Sequence, residues 1–226
     1  MQQRILKLLD IRPHESGLVK QLFLVQFFLV IGSSFLFVTA NAIFLSVYHI
    51  IELPKAFLIT GIFLLIFNKL YSKAEHLITT RQLLYGIIFI SIIITIGIRI
   101  CMLFPFLPLM PYVLLIWYYS GDLSTWLVFW GLAAMLFNVR ESKRIFTIVG
   151  AGDVPAKLLG YLSVSLLAPY IGLGNMLWIA AVSFAIALLF SQRMFNTPQI
   201  KALQLQHNEH QYPHADQRKN KKIKKI

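Results

Sequence analysis

Long apolar runs separated by short polar islands dominate this chain. A helix needs about 20 mostly apolar residues to cross roughly 30 Å of hydrocarbon. Six runs meet that length: about Val19–Val47, Pro54–Tyr71, Leu83–Leu103, Met110–Phe137, Phe146–Leu167 and Asn175–Ser191. The first begins near Val19, runs too long for the apolar core of a cleavable signal segment and lacks a small-residue cleavage site, so no such segment is expected. The turn-like His49-Ile-Ile-Glu-Leu-Pro54 separates the first two runs, and Pro54 suits the first turn of a helix, where its missing N–H removes no internal bond. This pattern predicts an all-α membrane protein with residues 1–18 as a cytoplasmic N-terminal segment, 19–194 as a six-helix transmembrane domain and 195–226 as a disordered basic cytoplasmic tail.

Composition agrees with that layout. Hydrophobic residues make up 58% of the 226 and charged residues 13%, against about 25% charged in a soluble domain. The basic residues then set an orientation. With the N-terminus inside, 18 of the 21 Lys and Arg fall in inner segments; Lys55 falls in an outer loop, and Arg99 and Lys157 lie within spans. The positive-inside rule therefore places both termini in the cytoplasm of a cell or plasma membrane protein, and favours an even number of spans. The net charge of +12 does not point to nucleic acid, because the basic residues flank spans or crowd the tail. Lys219, Lys221, Lys222, Lys224 and Lys225 are expected to contact anionic lipid headgroups. His207, His210 and His214 in the same tail fit a solvated low-complexity segment better than a metal site. Cys101 stands alone, which leaves no disulfide or cysteine-based metal site.

Four ionisable side chains lie within the spans: Arg99, Asp122, Asp153 and Lys157. At that depth they must face protein or water. Asp153 and Lys157 are four residues apart in the favourable acid-before-base order, so they are expected to form an internal ion pair or a gate. Asp122 follows Trp117-Tyr-Tyr-Ser-Gly121 and is a candidate for binding substrate, carrying a proton, pairing with Lys157 or Arg99 across the bundle, or fixing helix register. Arg99 lies near the outer end of its span and either snorkels outward or reaches substrate. Asn41 is a weaker polar candidate for the same cavity. Gly152, Ala156 and Gly160 share a helix face at small-xxx-small spacing, which lets backbones approach closely in lipid, and Pro155 is expected to kink that helix. Trp126 and Trp130, one turn apart, read as core packing before ligand stacking. No hydrolase triad, zinc motif or phosphate-cradling loop occurs, so neither an enzyme nor a resident cofactor is expected.

The opening Leu9-Asp-Ile-Arg-Pro-His-Glu15, the first span closing on Ala42-Ile-Phe-Leu-Ser-Val-Tyr48, and Leu53-Pro54 resemble the ATP/ADP translocase-like nucleotide transporters. The inner loop Arg140-Glu-Ser-Lys-Arg144 running into Ile145-Phe-Thr-Ile-Val-Gly150-Ala-Gly152 is also similar to that family. The resemblance covers about residues 9–191 and corresponds to the N-terminal half. It implies a major facilitator-like half-bundle for an anionic substrate, with nucleotides as the suggested class; Asn41, Arg99, Asp122 and Lys157 are then expected to serve that substrate, while Asp153 restrains Lys157. It also implies a partner, either a second copy or a separate six-helix half. Rival expectations are a non-transporting anchor or sensor module, since Arg99 and Lys157 are balanced by Asp122 and Asp153 within the spans, or a fragment of a larger transporter-like protein.

Overall fold

A computed structural model describes residues 16–104, 109–137 and 139–196, the side chains of 76 and 139–144 excepted. The N-terminal Leu9–Glu15 motif, the histidines and lysines of the tail, and the side chains of the Arg140–Arg144 loop lie outside the described residues. Every described element is helical. The order is α1 (Ser16–Val47), a 3-10 turn (Ile50–Glu52), α2 (Leu53–Leu77), α3 (Thr80–Cys101), α4 (Met110–Leu136), α5 (Val139–Ala151), α6 (Asp153–Ile171), a second 3-10 turn (Leu173–Asn175) and α7 (Met176–Asn196). These are the helices of a multi-pass membrane protein. Among the described residues, five segments are long and apolar enough to span a bilayer: Ser16–Val47, Ile50–Glu75, Thr80–Cys101, Ile145–Ile171 and Leu173–Asn196.

The fourth expected span forms a helix of 27 residues, about 40 Å long at 1.5 Å per residue. It is not among those five, and it carries Tyr112, Trp117, Tyr118, Tyr119, Trp126 and Trp130 where the other spans are mostly aliphatic. The fifth expected span breaks at Gly152 into α5 and α6. Pro155 explains the position of the break. It has no N–H to give to the carbonyl of Ala151, and its ring crowds that carbonyl. The chain tightens there, with Gly152 N–H donating to Val149 O at 3.2 Å, and ordinary helical bonding resumes with Ala156 N–H donating to Gly152 O at 3.1 Å. Elsewhere the helices run past the apolar cores. Pro54 occupies the first turn of α2 as the sequence suggests, and Thr79 with Gln82 forms a capping box that starts α3.

α1 is the central helix. It packs most extensively on α7, then on α6 and α4, while α3 and α7 form a back layer behind α1 and α4. α2 packs on α4, and α6 on α1, so these two flank the face opposite the back layer. Side-chain pairs fix the registers. α1 and α4 run antiparallel, with Ser33 against Asp122, Phe37 against Tyr118 and Phe44 against Tyr112. α1 and α6 run parallel, with Gln26 against Asp153, Ser34 against Gly160 and Phe37 against Tyr161. The small residues make the second contact possible: Ala156 and Gly160 are buried at the start of α6, and Gly152 lies against the ring of Phe23. Behind α1, Gly32 gives the same close approach to Phe184 of α7, and Phe28 stacks on Phe190 at 5.6 Å.

Candidate functional site

Between α1 and α4 lies a pocket whose walls come from Gln26, Val30 and Ser33 on one side and Trp117, Tyr118 and Asp122 on the other. Ser91 of α3 and Phe184 of α7 form its floor. Its volume is about 30 Å³, room for about two water molecules. A pocket for a drug-sized ligand takes about 300 Å³ or more, so this cavity by itself does not enclose a metabolite. Its mouth opens on the face flanked by α2 and α6, where Asp122 is exposed.

The polar groups around that mouth are unevenly matched. Ser120, Ser124 and Thr125 each donate to the carbonyl one turn back in α4, at 2.6–2.7 Å, so their protons are spent on their own helix. Ser33 of α1 donates to Asp122 Oδ1. Two turns earlier on the same side of α1, Gln26 Nε2 donates to Asp153 Oδ1 at 2.9 Å. One face of α1 thus holds two carboxylates, one from α4 and one from α6, each through a neutral donor. Asp122 and Lys157 are both near enough to Asp153 for their charges to interact.

The expected Asp153–Lys157 ion pair is not formed among the described residues. Asp153 turns toward α1 and takes Gln26, whereas Lys157 is exposed on the flank of α6. Four residues advance a helix by slightly more than one turn, enough to carry Lys157 past the α1 contact that half-buries Asp153. Arg99 lies away from the pocket at the end of α3, where Nη2 donates to Asn175 Oδ1 at 2.7 Å and Asn175 Nδ2 donates to Ile171 O at 2.8 Å. It therefore ties the end of α3 to the connection between α6 and α7. Asn41 Nδ2 donates to Phe37 O of its own helix at 2.8 Å and does not line the pocket. Trp130 packs among Phe129 and Phe146, while Trp126, one turn from Asp122, is exposed at the pocket. Gln26 and Ser33 complete the site and were not singled out from the sequence. Their seven-residue spacing, two turns apart on one side of the helix, is the signal that identifies them.

A larger cleft of about 890 Å³ lies at the end of the bundle where α1 closes and α2 and α4 begin. Phe44, Tyr48 and Tyr112 form an aromatic triad there, with ring centroids 4.9–5.1 Å apart. Glu52 Oε2 accepts from Tyr112 at 3.1 Å and from Lys55 at 3.2 Å. Among the described residues, no group of three His, Cys, Asp or Glu side chains is placed to hold a metal. Comparison with family models, curated proteins and solved structures finds no match for this chain.

Proposed function

We propose that this chain is half of an alternating-access membrane transporter for an anionic metabolite, with nucleotides as the class that the sequence resemblance suggests. One observation carries the reading. Asp122 lies midway along α4 and Lys157 midway along the Ile145–Ile171 span, yet both are exposed on the face flanked by α2 and α6. Ionised groups at membrane depth face protein or water, not lipid. A water-lined path closed by a second six-helix unit supplies both, and transporter sites near the midplane between two such units follow the same logic. In this reading Lys157 attracts the anion, while Asp122 and Asp153, held by Ser33 and Gln26, balance its charge when the site is empty. The tail lysines lie on anionic lipid at the cytoplasmic surface.

The test is uptake of labelled nucleotides and other small anions into vesicles carrying the reconstituted chain. Lys157→Ala is expected to lose at least about 90% of uptake, and Lys157→Arg to retain a measurable part, since both cations attract an anion but differ in shape. Unchanged uptake in Lys157→Ala removes Lys157 from the path. A specific observation favours a second reading, that of a non-transporting anchor or sensor: the small volume of the α1/α4 pocket. That reading predicts no uptake of any anion in wild type.

A further inference from the structure

We infer that the face carrying Asp122 and Lys157 is covered by a second copy of this chain, with Lys157 of each copy paired to Asp122 of the other. The inference rests on the transporter-half reading for its purpose, but its argument is structural. Lys157 is exposed and hydrogen-bonds nothing among the described residues, and Asp122 has a hydroxyl partner rather than a cation. Neither can be left to hydrocarbon, where a charge costs at least about 2.5 kcal/mol.

Depth is the second condition. In a two-fold dimer whose axis is normal to the membrane, each residue keeps its depth, so paired residues must start at the same level. They do. Asp122 is level with Ser33, its hydrogen-bond donor on α1. Gly160 is level with Ser34, whose Cβ would lie 2.5 Å from a Cβ built there. Lys157 precedes Gly160 by three residues, about 4.5 Å along the helix at 1.5 Å per residue. Lys157 and Asp122 therefore differ in depth by only about 3 Å on that rise, within reach of the flexible four-carbon lysine stem.

Symmetry is the third. α6 stands at the edge of the α1/α4 face, and about one turn before Lys157 the same flank exposes Val154. A self-complementary interface needs the same patch to offer both partners of each contact. This face offers a cation at its α6 edge and a carboxylate at its centre. One two-fold rotation makes two identical ion pairs, sets the two open faces against each other, and surrounds the path with two six-helix units. An unrelated partner would need charges of its own at both positions.

The experiment uses two full-length variants with different tags, Asp122→Lys and Lys157→Asp, expressed singly and together. Each variant alone places like charges against each other at both contacts, whereas the mixed pair restores opposite charges at both. Capture through one tag from membranes solubilised in mild detergent is expected to recover the other variant at least about tenfold better than the same variant, given the several kcal/mol that juxtaposed like charges cost. Equal recovery of like and unlike variants overturns the pairing. So does recovery of neither while wild type associates with itself. If the reversals do not accumulate in the membrane, photobleaching steps of labelled wild type in dilute vesicles decide: two steps support the second copy and one step overturns it. Pairing within a single chain predicts one step and no rescue on mixing. These readouts do not involve transport. Dimers that take up no anion sink the transport reading alone, and monomers that do sink the dimer alone.

Discussion

Gly160→Ala adds a methyl group 2.5 Å from Ser34 Cβ and 3.6 Å from Ile31 O. Both neighbours belong to the central helix and cannot swing aside, so α6 must move off α1. Overpacking of this kind costs about 1–3 kcal/mol, and thermal unfolding in detergent is expected to show a lower midpoint. Ser34→Gly in the same chain removes the obstructing atom and should recover most of the loss. Gly152→Ala is a useful contrast, because its methyl group meets the far end of the Phe23 ring, which can rotate, and its cost should be smaller. Small-residue spacing made this contact legible before any coordinates, since the sequence itself shows which positions lack bulk. The carboxylate partners were harder to read. Asp153 looked paired with Lys157 because helical spacing counts neighbours along one helix, whereas Gln26 reaches it from another. Gln26→Leu should accordingly destabilise the fold by about 1 kcal/mol, the low end of the range for an unpaired polar group, because Asp153 is only half-buried. In the Gln26→Leu, Asp153→Leu double variant, where neither polar partner remains, the loss should shrink.

The break between α5 and α6 is a property of the element rather than of any contact. Pro155 withholds the bond to Ala151, and the helix restarts at Asp153, with Gly152 alone between the two. Pro155→Ala restores an N–H at that position, so one continuous helix from about residue 145 to 171 becomes available. Amide exchange at 152–156 is expected to slow, and the distance between spin labels near residues 147 and 168 to lengthen. Unchanged exchange and distance would mean that Gly152 and its packing set the break without the proline. The sequence pointed to a kink at this place but not to two helices, because hydrophobic length is blind to a missing hydrogen bond. It also gave the aromatic α4 as a span by length, although its tyrosines and tryptophans lower its hydropathy. What holds α4 in place is visible in space: Trp117, Val128 and Phe129 are buried against the neighbouring helices.

For the whole molecule, the bundle has two chemically different ends, and the distribution of charge predicts which one faces the cytoplasm. At one end lie the turns around Ile50–Glu52 and Leu173–Asn175, with the Arg99–Asn175 contact and the aromatic triad beside Glu52. At the other, Arg81 lies over the rings of Tyr85 and Phe195 at 5.5 and 5.3 Å, close to Arg193 and the start of the basic tail. Cytoplasmic loops carry the excess of Lys and Arg, so the Arg81 end is predicted to be inside and the Ile50–Glu52 end outside. With Cys101→Ser as the background, a membrane-impermeant thiol reagent added to intact cells should label Ile51→Cys, whose parent side chain is 83% exposed. Ser72→Cys, at the opposite end of α2, should react only after the cells are opened. The reverse pattern would invert the molecule and put the basic tail outside, where the attraction to the anionic inner leaflet would be lost. Inversion would leave the α1/α4/α6 face intact, because a face in mid-membrane has no preference for either side. The polarity of the ends and the identity of the site are therefore independent questions, and this labelling separates them.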